Sequence, residues 1–323
     1  MDRFAVALDL GGTQVRAALV DRRGQILNRV AVPTAATEGP DVVIQQLSDA
    51  ARAMMSGIEA GRILGVGLCA PGPLNTQEGI AISMPTIAGF ENIHLRERLG
   101  QSLNLPVWLE NDGTAAALGE WRFGAGAGLQ NFVYITMSTG IGGGVVADNR
   151  LLRGRLGLAG EVGHMTIVRN GDTCSCGNKG CWEAYASGTA FTRRARQRVA
   201  SLGHGLLAEG GKPVDGKAVF AAAAQGDPFA IELVAEEAEF LGIGIVNLLH
   251  LFSPESIVVG GGMSSNLDVL HPGISSKVRD TAMKGFESVP IVRAALEGNS
   301  GLIGAAALVY DAVPAISPSS HPA

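Results

Sequence analysis

Residues 4–10 (FAVALDL) and 15–20 (VRAALV) are two apolar runs joined by Gly11-Gly12-Thr13-Gln14 and ended by Asp21. Short apolar runs on either side of a glycine turn read as a hairpin of buried strands. The same grammar returns at 132–137 (FVYITM) and 145–147 (VVA), joined by Ser138-Thr139-Gly140-Ile141-Gly142-Gly143-Gly144 and followed by Asp148. Two such units, one near the start of each half, predict an α/β protein of duplicated domains facing each other across a central cleft.

Working outward from these hairpins, 41–60 has helical apolar spacing, 63–69 (ILGVGLC) is a buried strand stopped by Pro71-Gly72-Pro73, and 106–110 (PVWLE) is another strand. The Ala-rich stretch 113–121 reads as a helix, which leaves Asn111-Asp112 at the carboxyl end of a strand that opens into a helix. That is where α/β sheets put their chemistry. Farther on, 229–251 reads as a long helix, 256–259 (SIVV) as a strand, Gly260-Gly261-Gly262 as a third glycine turn and 301–311 as a helix. The expected division is a small α/β domain at 1–118, completed by the helix 301–311, a larger one at 119–300, and a disordered Pro- and Ser-rich tail at 312–323.

Composition agrees with two folded domains, since 323 residues with 46% hydrophobic and 17% charged content exclude a disordered chain. Lys+Arg of 25 against Asp+Glu of 30 gives a net charge of −5, which offers no general attraction to polyanions, so no nucleic-acid partner is expected. The first apolar stretch is broken by Asp9, so no signal peptide is visible, and the longest apolar run, 240–252, is interrupted by Asn247 and His250 and is too short to span a bilayer. A cytoplasmic protein without a membrane partner is the expectation.

The 45 glycines cluster in short runs, which read as turns where backbone approaches a ligand closely. Asp9-Leu10-Gly11-Gly12-Thr13 places backbone N–H groups and a hydroxyl after a carboxylate, a pattern suited to phosphate oxygens with a nearby Mg²⁺. One such turn is compatible with an ordinary tight hairpin, whereas three in one chain favour phosphate. There is no G-x-x-x-x-G-K-[ST] loop, and Gly65-Val66-Gly67-Leu68-Cys69-Ala70 matches G-x-G-x-x-A only loosely, with Pro71 where a helix would have to begin.

The densest cluster is Glu161-Val162-Gly163-His164 followed by Cys174-Ser175-Cys176 and Cys181-Trp182-Glu183. Three cysteines with one upstream histidine match a Cys₃His zinc knuckle at 164–181; four protein ligands leave no position for water, so the metal would be structural. A disulfide plus a spare thiol is the competing reading, and Cys69, alone in an apolar strand, reads as core. Glu161 and Glu183 flank the ligands, in a place suited to gripping hydroxyl groups. Asp112 is the candidate general base for phosphoryl transfer, with helix capping as its bland alternative. His94, His204, His250, His271 and His321 have no comparable company.

Through these motifs the chain resembles the ROK family (repressors, open reading frames and sugar kinases) of the actin-like ATPase superfamily, whose fold is ribonuclease H-like. The resemblance runs from Asp9 to about Ala307 through DLGGT (9–13), APGP (70–73), ENDGTAAALGE (110–120), STGIGGG (138–144), GEVGH (160–164), CSCGNKGCWEAYASG (174–188) and VVGGG (258–262). Cys181–Gly188 is most similar to the bacterial glucokinases of that family.

The resemblance implies an ATP-dependent hexose kinase acting at the 6-hydroxyl. Glucose is the leading substrate; N-acetylmannosamine, N-acetylglucosamine and fructose are the alternatives, and a non-catalytic sugar sensor is a further one. It implies Asp112 as the catalytic base, and Gly72, Asn111, Glu161, His164 and Glu183 as sugar contacts beside it. Asp9, Gly11, Gly12, Thr13, Thr139 and Gly140 would face the ATP phosphates and Mg²⁺, and Gly261 and Gly262 the adenosine. His164, Cys174, Cys176 and Cys181 would ligate Zn²⁺. Gln14 stands where the family often has Lys. A homodimer is implied by the same analogy and by the prevalence of two-fold symmetry.

Overall fold

The computed structural model describes residues 3–202 and 214–313. Its strands and helices in chain order begin with β1 (Phe4–Leu10), β2 (Gln14–Val20), β3 (Ile26–Pro33), α1 (Pro40–Met55), β4 (Ile63–Ala70), β5 (Leu74–Asn75), β6 (Ile80–Ser83), β7 (Glu91–Ile93), α2 (Leu95–Leu103), β8 (Val107–Asn111) and α3 (Asp112–Phe123). There follow β9 (Phe132–Met137), β10 (Ile141–Ala147), β11 (Arg150–Leu151), α4 (Glu183–Ala186), α5 (Gly188–Leu202), α6 (Gly216–Ala224), α7 (Pro228–Phe252), β12 (Ser256–Gly260), α8 (Leu267–Thr281), β13 (Ile291–Arg293) and α9 (Ser300–Ala312).

These elements form two compact units. Among the described residues, one comprises 3–127, 153–159 and 299–313; the other comprises 128–152, 160–202 and 214–298. The division runs past the boundary expected at 118 because α3 packs with α9 inside the first unit.

Each unit is built on a five-stranded sheet, ordered β3-β2-β1-β4-β8 in the first and β11-β10-β9-β12-β13 in the second. In both, the first three strands are antiparallel neighbours and the fourth and fifth run parallel to the first. The repeated strand–turn–strand grammar is therefore a repeated sheet topology. A small antiparallel sheet, β5-β6-β7, belongs to the first unit.

Alternation along β1 explains how the first sheet is covered on both faces. Phe4, Val6, Leu8 and Leu10 join a core of large side chains with Val43, Ile44, Leu47, Ala51 and Met54 of α1. Ala5 and Ala7 face the other way, into a cluster with Leu302, Ala305, Ala306 and Val309 of α9. Small residues let α9 come very close. A Cβ on Gly67 would lie 1.8 Å from the Ala305 carbonyl oxygen, and one on Gly304 would lie 1.7 Å from that of Ala115 in α3.

In the second unit, Val133, Ile135 and Met137 of β9 and Ile257 and Val259 of β12 share a core with Leu233, Leu241, Ile245 and Leu248 of α7. Trp182 is fully buried there and donates its indole N–H to the Phe240 carbonyl at 2.9 Å. Beside it, Arg194 of α5 donates to the Tyr185 carbonyl and pairs with Glu237 of α7. Burial pushes the Glu237 carboxyl up to about 7, against the pull of Arg194.

Some elements differ from expectation. Strand β10 begins at Ile141, so Gly142–Gly144 lie in a strand paired with Tyr134–Thr136, and the turn shrinks to Ser138–Gly140. The cause is close packing, since a Cβ on Gly143 would sit 2.6 Å from the Tyr134 carbonyl oxygen. The tail expected at 312–323 overlaps the last residue of α9, and from 314 it lies outside the described residues. Among the described residues no helix is long and apolar enough to cross a membrane.

Two outcomes follow. Gly304→Ala forces a methyl into the Ala115 carbonyl, so the urea midpoint should fall by an amount worth about 1–3 kcal/mol or more; an unchanged midpoint would show that α9 can shift without cost. For Glu237, the folded-state value is raised above the ordinary one of 4.5 to about 7, so the folded protein binds the extra proton between those values. Its contribution to stability is present below pH 4.5 and is lost as pH rises through about 7. Denaturation measured from pH 4.5 to 8 should show this slope in the wild type and lack it in Glu237→Gln.

Candidate active site

In the first unit β8 passes into α3 with no loop between them. Asn111, the last strand residue, is also the helix N-cap: its Oδ1 accepts the N–H groups of Gly113 at 2.9 Å and Thr114 at 3.2 Å. The capping role considered for Asp112 thus falls to Asn111. Asp112 is the first helical residue, exposed, with its Oδ1 accepting the Gly113 N–H at 2.8 Å.

Asp9 ends up at the same edge of the sheet. It pairs in register with Cys69 on β4, which pairs with Glu110 on β8. The Cys69 thiol is buried and its pKa is pushed well up by that burial, with the charges of Asp9 and Asp112 adding to the effect. Asp9 itself is buried and bound by Arg16, its cross-strand partner on β2, whose Nε–H reaches Oδ2 at 2.8 Å. The first glycine turn is closed by Gly11 N–H to the Gln14 carbonyl at 2.9 Å, with Gly12 against Thr86 and Thr13 exposed. Gly72 is half-buried, just beyond β4.

In the second unit the turn Ser138–Gly140 is tied to the start of α5, because Gly188 N–H donates to the Ser138 carbonyl at 2.8 Å and Thr189 N–H to that of Thr139 at 3.3 Å. Glu183 holds the other side. Its Oε2 accepts the Ile141 N–H at 3.0 Å and its Oε1 accepts the Ser175 hydroxyl at 2.9 Å. A Cβ on Gly140 would lie 2.4 Å from that Oε2, so glycine is what lets the carboxylate seat against the turn. Glu161 lies just before the 3₁₀ turn Val162–His164. Its carboxyl is held above the ordinary value, first by lost hydration and then by Glu183, against the pull of His164. Gly261, with φ of 84°, turns the chain beside the Met137 carbonyl, and Gly262 is exposed at the start of the 3₁₀ turn Gly262–Asn266.

His164, Cys174, Cys176 and Cys181 bring one ligand atom each within 4.8 Å of one another. Tetrahedral zinc geometry requires about 3.8 Å between two sulfurs and about 3.6 Å between sulfur and nitrogen. The Cys176 and Cys181 sulfurs are 3.7 Å apart, and Cys174 Sγ lies 3.6 Å from His164 Nδ1. These separations suit a four-coordinate metal, and 3.7 Å is far too long for a disulfide. Burial and the neighbouring thiols push Cys181 up to about 12, and burial raises Cys174, whereas the Asn178 N–H lowers Cys176. A divalent cation entering the cluster therefore displaces thiol protons.

The sequence names all of these candidates but assigns no role to Arg16, Ser175, Glu110 or Arg153, whose side chains bond them or their neighbours. Arg16 was within reach, since a hairpin closed between Leu10 and Val15 sets Asp9 opposite Arg16. Ser175 lies inside the cysteine motif, eight positions from the Glu183 it bonds, whereas Glu110 and Arg153 are 43 positions apart and are joined across the fold.

A family model described as the ROK family matches residues 5–312. The chain is 39% identical over 319 residues to a glucokinase of Streptomyces coelicolor, covering 96% of this chain and 99% of that one. A solved ROK hexokinase from Thermus thermophilus is similar with a TM-score of 0.83 and 38% identity, covering 97% of this chain and 99% of that chain. A ROK glucokinase from Streptomyces griseus, solved in complex with glucose and AMPPNP, is similar with a TM-score of 0.82 and 36% identity, covering 94% of this chain and 98% of that one.

Because both Glu183 oxygens hold protein donors, Glu183→Ala should lower folding stability by about 1–3 kcal/mol in denaturant titrations. Glu183→Gln keeps an acceptor oxygen and should lose much less. Equal losses would show that the charge, and not the acceptors, matters.

Proposed function

The chain belongs to the ROK family, and from that premise we propose that it transfers the terminal phosphoryl group of ATP to the 6-hydroxyl of glucose. It is an ATP-dependent sugar kinase of the glucokinase kind, as its similarity to glucokinases over nearly its whole length supports. The observation that carries the reaction is Asp112, an exposed carboxylate at the first position of a helix, its backbone fixed by the Asn111 cap.

In this reading Asp112 accepts the proton of the sugar 6-hydroxyl as that oxygen attacks the terminal phosphorus in line; the P–O bond to ADP breaks as the new one forms. Gly72, Asn111, Glu161, His164 and Glu183 hold sugar hydroxyls. The turns with Gly11, Gly12, Thr13, Thr139 and Gly140 face the phosphate oxygens; the Gly11 N–H closes its turn onto Gln14, and the other residues offer backbone N–H groups and hydroxyls, while Gly261 and Gly262 lie against adenosine. Mg²⁺ would enter with the nucleotide and spread the phosphate charge. Arg16 holds Asp9, so the carboxylate at that corner is neutralised despite Gln14.

His164, Cys174, Cys176 and Cys181 would hold a structural Zn²⁺, which cross-links the loop between β11 and α4. With Nδ1 facing the cysteines, Nε2 is the ring nitrogen that would meet sugar, its direction set by the ligand that Nδ1 would hold. A homodimer and a cytoplasmic location, where ATP is made available, complete the proposal.

The test is ADP release with ATP and Mg²⁺ across glucose, mannose, fructose, N-acetylmannosamine and N-acetylglucosamine. Glucose should dominate. Sugar binding without ADP release from any of them would overturn the kinase reading in favour of a sensor. Asp112→Ala should lower kcat by at least a thousandfold while sugar binding stays measurable, and near-normal turnover removes Asp112 from the mechanism. Cys176→Ser should lose bound zinc, read by metal analysis, together with sugar affinity; unchanged affinity without metal would uncouple the cluster from the sugar.

A further inference from the structure

Two residues ahead of Asp112, a carboxylate is buried at the end of β8. Glu110 Oε1 accepts the Asn111 N–H at 3.2 Å, and Oε2 accepts the Arg153 Nε–H at 2.7 Å. Burial raises the Glu110 carboxyl, while Arg153 and the Asn111 N–H pull it back. Desolvating a carboxylate carries a cost that an apolar residue in this strand would avoid. What the charge secures is a hold on two separate stretches of chain, one through the Asn111 N–H and one through the Arg153 side chain.

One is the strand end itself. The N–H that Glu110 receives belongs to Asn111, whose side chain caps α3 and whose successor is Asp112. The other is the segment Arg153–Ala159, which belongs to the first unit although the chain on both sides of it belongs to the second. That segment is docked independently of the ion pair. Thr76 N–H donates to the Leu156 carbonyl at 3.1 Å, and Gly157, at φ of 85°, lies so close to Thr76 that a Cβ would be 2.1 Å from its hydroxyl oxygen. Ala159 N–H closes the segment onto the Arg153 carbonyl at 3.1 Å. The next residues are Gly160 and Glu161. Glu110 therefore joins the strand that ends in Asn111, next to Asp112, to the segment that leads into Glu161-Val162-Gly163-His164.

We propose that Glu110 and Arg153 are positioning residues for phosphoryl transfer. Their ion pair sets the backbone at Asn111, and through the Asn111 cap the carboxylate of Asp112, and it makes that setting depend on the docking of 153–159. The inference rests on the sugar-kinase reading given above. Neither residue is assigned a contact with substrate. Their effect belongs in kcat, because a base displaced by a fraction of an ångström loses rate without losing its ligands.

The experiment uses the full chain as wild type, Glu110→Gln, Arg153→Met, the double variant and Arg153→Lys. Turnover is measured with glucose and ATP and divided by the concentration of glucose-binding sites, and hydrogen exchange is followed in the peptide covering 107–118. Each single variant should lower kcat per site at least tenfold with KM for ATP within twofold. The double variant should be no slower than the slower single, Arg153→Lys should recover part of the rate, and exchange at 111–114 should quicken. Unchanged kcat per site in both single variants overturns the proposal, since a merely structural pair would reduce the number of folded sites and not their rate. Losses that multiply in the double variant overturn the pairing. If Glu110→Gln does not fold, Arg153→Met decides alone, its side chain being half-exposed. A wild type that turns over no sugar overturns the kinase reading itself, before any variant is compared.

Discussion

A helix leaves its first N–H groups without internal partners, and at the start of α3 a single side-chain oxygen of Asn111 takes two of them. Because Asn111 is also the last residue of β8, strand and helix meet with no slack between them. The position of Asp112 is then set by the sheet. Register carries the constraint sideways, from Asn111 to Ala70 on β4 and from Cys69 to Asp9 on β1. On the α9 side, alanines and glycines allow that helix to pack against both α3 and β4. A larger residue at any of these positions would push on α3 and so on the carboxylate at its tip.

The second unit solves a similar problem with a carboxylate in place of a cap. Glu183 is the first residue of a helix of four residues, too short to hold itself. It is held by the buried Trp182 before it, by Arg194 on the Tyr185 carbonyl, and by its own bonds to Ile141 and Ser175. The same side chain thus touches the loop carrying the cysteines and the turn between β9 and β10. One carboxylate bonds the cysteine loop at Ser175 and the end of that turn at Ile141.

The central strands of both sheets and the helices at 40–55, 228–252 and 300–312 were legible because their apolar periodicity is strong and their ends are marked by Gly, Pro or Asp. The third strand, Ile26–Pro33, was not, since it alternates between exposed and half-buried positions at a sheet edge. Pro272 and Gly273 sit inside α8, where their breaker character hid a helix. Gly142–Gly144 read as turn because glycine marks close approach as well as reversal, and only the pairing with β9 tells the two apart. The cysteine cluster was legible because its ligand types are rare and their spacing short. Glu110 with Arg153, and Arg194 with Glu237, carry no local signal: each pair spans 43 positions, and a charged residue is ordinarily a surface residue until the fold buries it.

The first glycine turn shows how a missing charge can be replaced from a neighbouring position. A lone carboxylate at a phosphate site repels its ligand, and Gln14 offers no compensation. Arg16 lies two residues farther along β2, directly across from Asp9, and the pair is partly buried, where water screens it less than it would a surface pair. Asp9 is thereby neutralised from within the hairpin, and the guanidinium is held in place instead of ranging through solvent. Under the proposed reaction, nucleotide phosphates meet a neutral corner with oriented backbone N–H groups. The turn then depends on geometry more than on net charge: Gly11 is held by hydrogen bonds with Gln14 and Thr34, and Gly12 lies against Thr86 with no room for a side chain.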